Sequence, residues 1–147
     1  DAEMARLWTL DASVFVAACR SDEAGHAASR ALLDHLRETA APLIEPAILP
    51  VEVAAALSRT GSKPGLAREF AEAILALPHL TVVPVDERMA RRAVATATQY
   101  RLRGADALYV AVAGQYGAHL VTLDSEQLQR APSSVKACKP GAAVLLK

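Results

Sequence analysis

Leu7-Trp8-Thr9-Leu10-Asp11-Ala12-Ser13 is a short apolar run that stops at an aspartate and passes into a helical turn from Ser13 to Ala18. A run too brief for a helix, followed at once by helical spacing, reads as a buried strand. The same figure returns late in the chain, where His119 to Leu123 reads as a strand ending at Asp124 and a short helix starts at Ser125. Between these two the pattern keeps alternating. Ser21-Asp22 start a helix with Ala28, Leu32 and Leu36 at helical spacing up to Thr39, and Leu43-Ile44 is a brief strand closed by Pro46. A helix from about Ile48 to Arg59 stops at Gly61, and another runs from Pro64 to Leu77. Thr81-Val82-Val83 is a β-branched strand, and Asp86 caps a helix to about Tyr100. A last long helix spans Ala105 to Tyr116 and ends at Gly117, and Val135 to Cys138 adds a strand. Short apolar strands alternating with helices predict an α/β sandwich with a parallel sheet. No repeat, low-complexity tract or linker divides residues 1–147, so one domain is expected.

Composition narrows the function classes. Hydrophobic residues make up 52% of the chain, much of it alanine, and aromatics only 4%. Sixteen basic and sixteen acidic residues cancel, so no whole-molecule field draws in nucleic acid, and such binding must rest on a local patch. Cys19 and Cys138, with no CxxC, read as reduced and mostly buried thiols, which points to a reducing cytoplasm. His26, His35, His79 and His119 lie at no zinc-ligand spacing. No apolar stretch reaches the ~20 residues that span a bilayer, and no signal peptide opens the sequence. Met4 reads as a natural start, with Asp1 to Glu3 foreign to it.

Four carboxylates stand out. Asp11 and Asp124 each follow an apolar strand, at the edge of a parallel sheet where ligands bind. Each also suits a helix N-cap, and Gln127 three residues after Asp124 fits a capping box. Glu52 has Ile48, Leu49, Ala55 and Ala56 at helical spacing and Val51 and Val53 beside it, so no polar face carries it. It either snorkels to water at a rim or meets a cation in a crevice. Asp106 opens the apolar Ala-Asp-Ala-Leu-Tyr-Val-Ala-Val-Ala, where a first-turn aspartate interacting with the helix dipole is the ordinary reading. Gly104 and Ala105 leave that helix start uncrowded.

Were the four to converge, they could not stay a bare cluster. Two carboxylates about 4 Å apart repel by roughly 4 kcal/mol at an effective dielectric of about 20. All-oxygen ligation without Cys or His suits Mg²⁺ or Mn²⁺, and such ions serve phosphodiester hydrolysis.

Leu-Asp-Ala-Ser-Val at Asp11, Pro-Val-Glu-Val-Ala-Ala-Ala-Leu at Glu52, Gly-Ala-Asp-Ala-Leu-Tyr-Val-Ala-Val-Ala at Asp106 and Leu-Val-Thr-Leu-Asp at Asp124 resemble, in order and context, the PIN domain. Within it the chain looks like a VapC-type toxin ribonuclease, over about Leu7 to Val135. The resemblance implies a three-layer α/β/α fold with a short central parallel sheet and Mg²⁺- or Mn²⁺-dependent endoribonuclease activity. Asp11, Glu52, Asp106 and Asp124 map onto the family's acidic quartet. Asp11 and Asp106 are then the most direct metal ligands, with Glu52 and Asp124 completing the shell or acting through water. Ser13 and Thr122 either support these ligands by hydrogen bonds or simply pack. The resemblance also implies a homodimer and a cognate antitoxin.

RNA, as substrate, must also be held. Arg101 and Arg103 precede Asp106 and read equally as phosphate contacts or as helix-end charges. Arg91 and Arg92 read as a solvated face, and Tyr109 and Tyr116 as packed. Competing functions are a PIN-fold RNA-processing nuclease without antitoxin and a catalytically silent PIN-like binding module. A phosphatase-type α/β domain fits less well, since Ser13 stands where its second aspartate belongs.

Overall fold

Each apolar run expected as a strand forms one in the computed structural model, which describes residues 6–146. The proposed start at Met4 lies outside the described residues. The strands are β1 (Trp8–Leu10), β2 (Leu43–Pro46), β3 (Leu80–Val83), β4 (His119–Val121) and β5 (Ala137–Cys138). They form one parallel sheet in the order β3-β2-β1-β4-β5. The helices among the described residues are α1 (Ala12–Cys19), α2 (His26–Glu38), α3 (Leu49–Arg59), α4 (Pro64–Leu75), α5 (Glu87–Tyr100), α6 (Gly104–Tyr116), α7 (Ser125–Arg130) and α8 (Pro140–Val144).

From β1 the chain winds outward through β2 to β3, then returns across the sheet and continues from β4 to β5. Right-handed crossovers that step in opposite directions must lie on opposite faces, which gives the three layers. α1 packs on α2 and α3 and α3 on α4, while α6 lies against β1, β2 and β4 with α5 packed on it. The winding reverses between β1 and β4. The crevice beyond the carboxyl ends of those two strands is therefore the topological switch point.

α6 is the central helix. Ala107, Tyr109, Val110, Ala111, Val112 and Ala113 are all buried, as its lack of a polar side requires. Leu10, Val14, Phe15, Leu49, Val53 and Leu120 fill the rest of the core.

Several boundaries differ from expectation. α2 begins at His26 rather than Ser21, because Arg20 pairs with Asp22 and Glu23 and holds them in turns. Pro46 stays within β2, opposite Val83, instead of closing the strand. β4 ends at Val121, since the Thr122 and Leu123 groups turn to the β1 end. α4 stops at Leu75, β5 covers only Ala137–Cys138, and α8, not anticipated, packs on α2. Cys19 and Cys138 are free, but Cys19 is exposed in the last turn of α1 rather than buried. Tyr109 is buried as expected, whereas Tyr116 is 43% exposed near the C-terminal end of α6. Among the described residues no helix is long and apolar enough to cross a membrane.

Candidate active site

Asp11 stands one residue past β1 and is 4% exposed. Its backbone N–H donates to Val121 O at 3.0 Å, tying the β1 end to β4. Oδ1 accepts from the Ser13 N–H at 2.9 Å and from the Ser13 hydroxyl, and Oδ2 accepts from Thr122 Oγ1 at 2.6 Å. Thr122 Oγ1 in turn accepts from the Asp124 N–H at 3.0 Å, and Ser13 Oγ from the Leu123 N–H at 3.0 Å. Ser13 and Thr122 thus fasten Asp11 to the segment that carries Asp124. Burial raises the Asp11 pKa against the lowering effect of these hydrogen bonds, and the Glu52 charge adds to the rise.

Asp124 does cap α7, its Oδ1 accepting from the Glu126 and Gln127 N–H groups at 2.8 and 3.2 Å. The reciprocal arm of the capping box is absent. Gln127, fully buried, sends its side-chain amide instead to Asp106 O at 3.3 Å. The two cap readings are therefore correct as local structure, and they also orient both carboxylates at the switch point.

Asp106 occupies the first turn of α6, half-buried, with no hydrogen bond to its carboxylate among the described residues. Burial raises its pKa to about 6, followed by the charges of Asp124, Asp11 and Glu52; Arg103 opposes them. Three carboxylates carried by other parts of the chain, Asp124, Asp11 and Glu52, thus lie near enough to bear on Asp106.

Glu52, in the first turn of α3, accepts from Tyr109 Oη at 2.6 Å. Its helix is not walled in on every side, because Val51 is 60% exposed. The alternation of apolar residues hid a solvent-facing side that happens to be apolar. Tyr109, read from sequence as simple packing, is the tether that holds Glu52. Burial pushes its phenol far up, helped by Glu52, Glu45 and Asp11, so it stays a proton donor.

One carboxylate escaped the sequence reading altogether. Glu45, in the middle of β2, is 1% exposed, and burial drives its pKa well above the usual glutamate range, with Asp11 adding to the rise. Its Oε2 accepts from the Leu10 N–H at 2.8 Å, and its Oε1 is buried with no hydrogen-bond partner among the described residues. A charged residue inside an otherwise apolar run, Leu43-Ile44-Glu45-Pro46, was the available signal.

Of the cations, Arg103 lies 3.8 Å from Glu126 and close enough to Asp106 to oppose its pKa rise. Arg101 takes the left-handed conformation (φ 55°) that ends α5, and its carbonyl accepts from Arg130 Nη1 at 2.7 Å. Arg91 pairs with Glu87 at 2.7 Å on the exposed face of α5.

The donor set is all oxygen, crowded with negative charge and open to the crevice through Asp106, which fits a hard divalent cation. Among the described residues no three His, Cys, Asp or Glu side chains form a ready metal cage. A separate cavity of about 380 Å³ opens between α1, α2 and α4, lined by Phe15, Leu33, Leu36, Phe70, Ile74 and Leu77. None of the quartet borders it.

An acid-lined crevice at the switch point of a five-stranded parallel α/β/α sheet defines the class of protein. The PIN domain model matches residues 9–132, and the chain belongs to that family. Its fold is shared with VapC20 of Mycobacterium tuberculosis, described as a sarcin–ricin loop cleaving toxin (18% identity, 88% of this chain and 98% of that one, TM-score 0.70). It is shared also with VapBC2 of Rickettsia felis bound to a promoter DNA fragment (15% identity, 90% and 98%, TM-score 0.67). PAE2754 of Pyrobaculum aerophilum is a third (22% identity, 91% and 85%, TM-score 0.65). No curated protein matches the sequence.

Proposed function

We propose that this chain is a divalent-metal-dependent endoribonuclease, the toxin of a VapC-type toxin–antitoxin pair, acting through Asp11, Glu52, Asp106 and Asp124. The observation that supports the reading is the hydrogen-bond network through Ser13 and Thr122 that ties Asp11 to the segment carrying Asp124, with Asp106 near enough to feel both charges. Asp11, Glu52, Asp106 and Asp124 would hold Mg²⁺ or Mn²⁺, which would offset their charge and would supply water activation and charge stabilisation at a phosphate oxygen.

The remaining roles fall to this chain's own groups. Asp11 and Asp106 are the direct ligands. Glu52, held by Tyr109, and Asp124, held by the α7 N-terminus, complete the shell or orient water. Ser13 and Thr122 fix the Asp11 carboxylate, one on each oxygen. Arg103, beside Asp106, and Arg101 steer the RNA phosphate backbone. A cognate antitoxin and a homodimer complete the proposed assembly, in line with the toxin–antitoxin complexes among the structural neighbours. Two free thiols suit a reducing cytoplasm.

The test is cleavage of RNA with Mg²⁺ or Mn²⁺, with chelator, and with Asp11→Asn and Asp106→Asn. Loss of at least a hundredfold in each substitution is expected. Cleavage that survives both substitutions, or survives chelation, overturns the proposal.

A further inference from the structure

β1 is held to its two neighbours very differently. Toward β4 it pairs along its whole length, Trp8 with His119, Thr9 with Leu120 and Leu10 with Val121. Toward β2, among the described residues, Trp8 alone pairs, with Leu43, and the ladder does not continue past that rung. Side chains continue the link. Thr9 Oγ1 donates to Ile44 O at 2.8 Å, and the Leu10 N–H, immediately before Asp11, donates to Glu45 Oε2 at 2.8 Å. Glu45 is itself fixed from the other side, since β2 stays in register with β3 through Glu45 and Val82.

A buried backbone N–H must find an acceptor, and in a regular ladder the neighbouring strand's carbonyl supplies it. Here a carboxyl on a longer reach replaces the carbonyl where the ladder ends. Glu45 is 1% exposed and its second oxygen has no partner among the described residues, a costly arrangement for a group that only packs.

We propose that Glu45 is a positioning residue for the metal site: by accepting the Leu10 N–H where the β1–β2 ladder ends, it sets where Asp11 stands. The proposal rests on the reading of Asp11 as a cation ligand. It requires the acceptor oxygen and its reach, not the charge. Gln keeps a carbonyl oxygen at the same reach, whereas Asp withdraws the carboxyl by about 1.5 Å, the length of one C–C bond.

The experiment compares the whole wild-type chain with E45Q and E45D by amide hydrogen exchange at Leu10, by calorimetric titration with Mn²⁺ and by thermal unfolding. In E45Q the Leu10 amide stays protected and Mn²⁺ affinity stays within about threefold of wild type. In E45D the Leu10 amide exchanges at least tenfold faster and Mn²⁺ affinity falls by about 10- to 100-fold, the usual loss when support to a ligand is removed. A tenfold loss of Mn²⁺ affinity in E45Q overturns the proposal, because charge would then matter. So does an E45D that only melts earlier while binding Mn²⁺ as wild type does, which is a purely structural role. Should the wild-type chain bind no Mn²⁺, the nuclease reading fails instead, and Leu10 exchange alone decides whether Glu45 holds the strand end.

Discussion

Asp106 sits half-buried at the head of the central helix, with three other carboxylates pressing on it and Arg103 as the opposing charge. Its pKa is raised from 3.8 to about 6, so ionising it costs more in the folded chain than in the unfolded one. Between those values the folded state holds a proton that the unfolded state has lost, and stability of the cation-free chain falls as pH rises through the window. Asp106→Asn removes that cost. With chelator present, it should stabilise the protein at pH 7.5 by about 1 kcal/mol, the full shift being discounted for a half-exposed group. That is roughly 2–4 °C in Tm. The gain should vanish below about pH 3, where both states are protonated, so melting curves that differ equally at both pH values refute it. At Tyr109 the expectation is different. Tyr109→Phe deletes the hydrogen bond to Glu52 and leaves the ring in place; it should cost about 1–2 kcal/mol and lower RNA cleavage about tenfold. Unchanged cleavage would remove Tyr109 from the site. Both residues show how far single positions can be read. Asp106 was legible because an acid opens an apolar helix, whereas Tyr109 looked like any core aromatic until α3 brought Glu52 beside it.

At the level of elements, the end of β4 explains how two strands share one site. Thr122 and Leu123 were expected to prolong β4, but a hydroxyl and a backbone N–H there serve Asp11 and Ser13 instead. The loop before α2 presses on the same segment, since a Cβ on Gly25 would stand 2.6 Å from Leu123 Cδ1. Gly25→Ala should therefore cost about 1–3 kcal/mol through overpacking. Leu123→Ala in the same background should recover part of that loss, a coupling readable in a denaturant double-mutant cycle. Strictly additive effects would show that the two do not meet. The late start of α2 has the same kind of cause. Ser21 and Asp22 have the chemistry of a helix start, but the Arg20 guanidinium, also bonded to Thr60 O at the end of α3, draws Asp22 and Glu23 into turns.

For the whole molecule, a neutral chain carries Asp11 and Asp124 where the sheet changes direction, near enough to Asp106 to act on it, and a cation held there should bind the folded state alone. Saturating Mn²⁺, at about a hundredfold its dissociation constant, should add roughly 2.7 kcal/mol to stability. Tm should rise by about 5 °C or more, and Asp11→Asn should abolish most of the rise. No shift in the wild-type chain would contradict the metal site itself.

The alternation of short apolar runs with helical spacing determined the α/β class, the strand positions and the two strand-end aspartates, because those features are local and periodic. The order of acidic residues in their contexts resembles that of the PIN family, and the match over residues 9–132 bears that out. Tertiary structure alone decided the rest. It chose which strands adjoin, placing β1 beside β4 across more than a hundred residues of chain, and so brought Thr122 to Asp11. It gave Gln127 to Asp106 rather than to its own helix cap, and it brought Glu45 to the Leu10 N–H. These are bonds between groups distant in sequence, each satisfying a buried donor or acceptor with whatever the packing brings near. No periodicity records such a choice, because it exists only once the layers have closed.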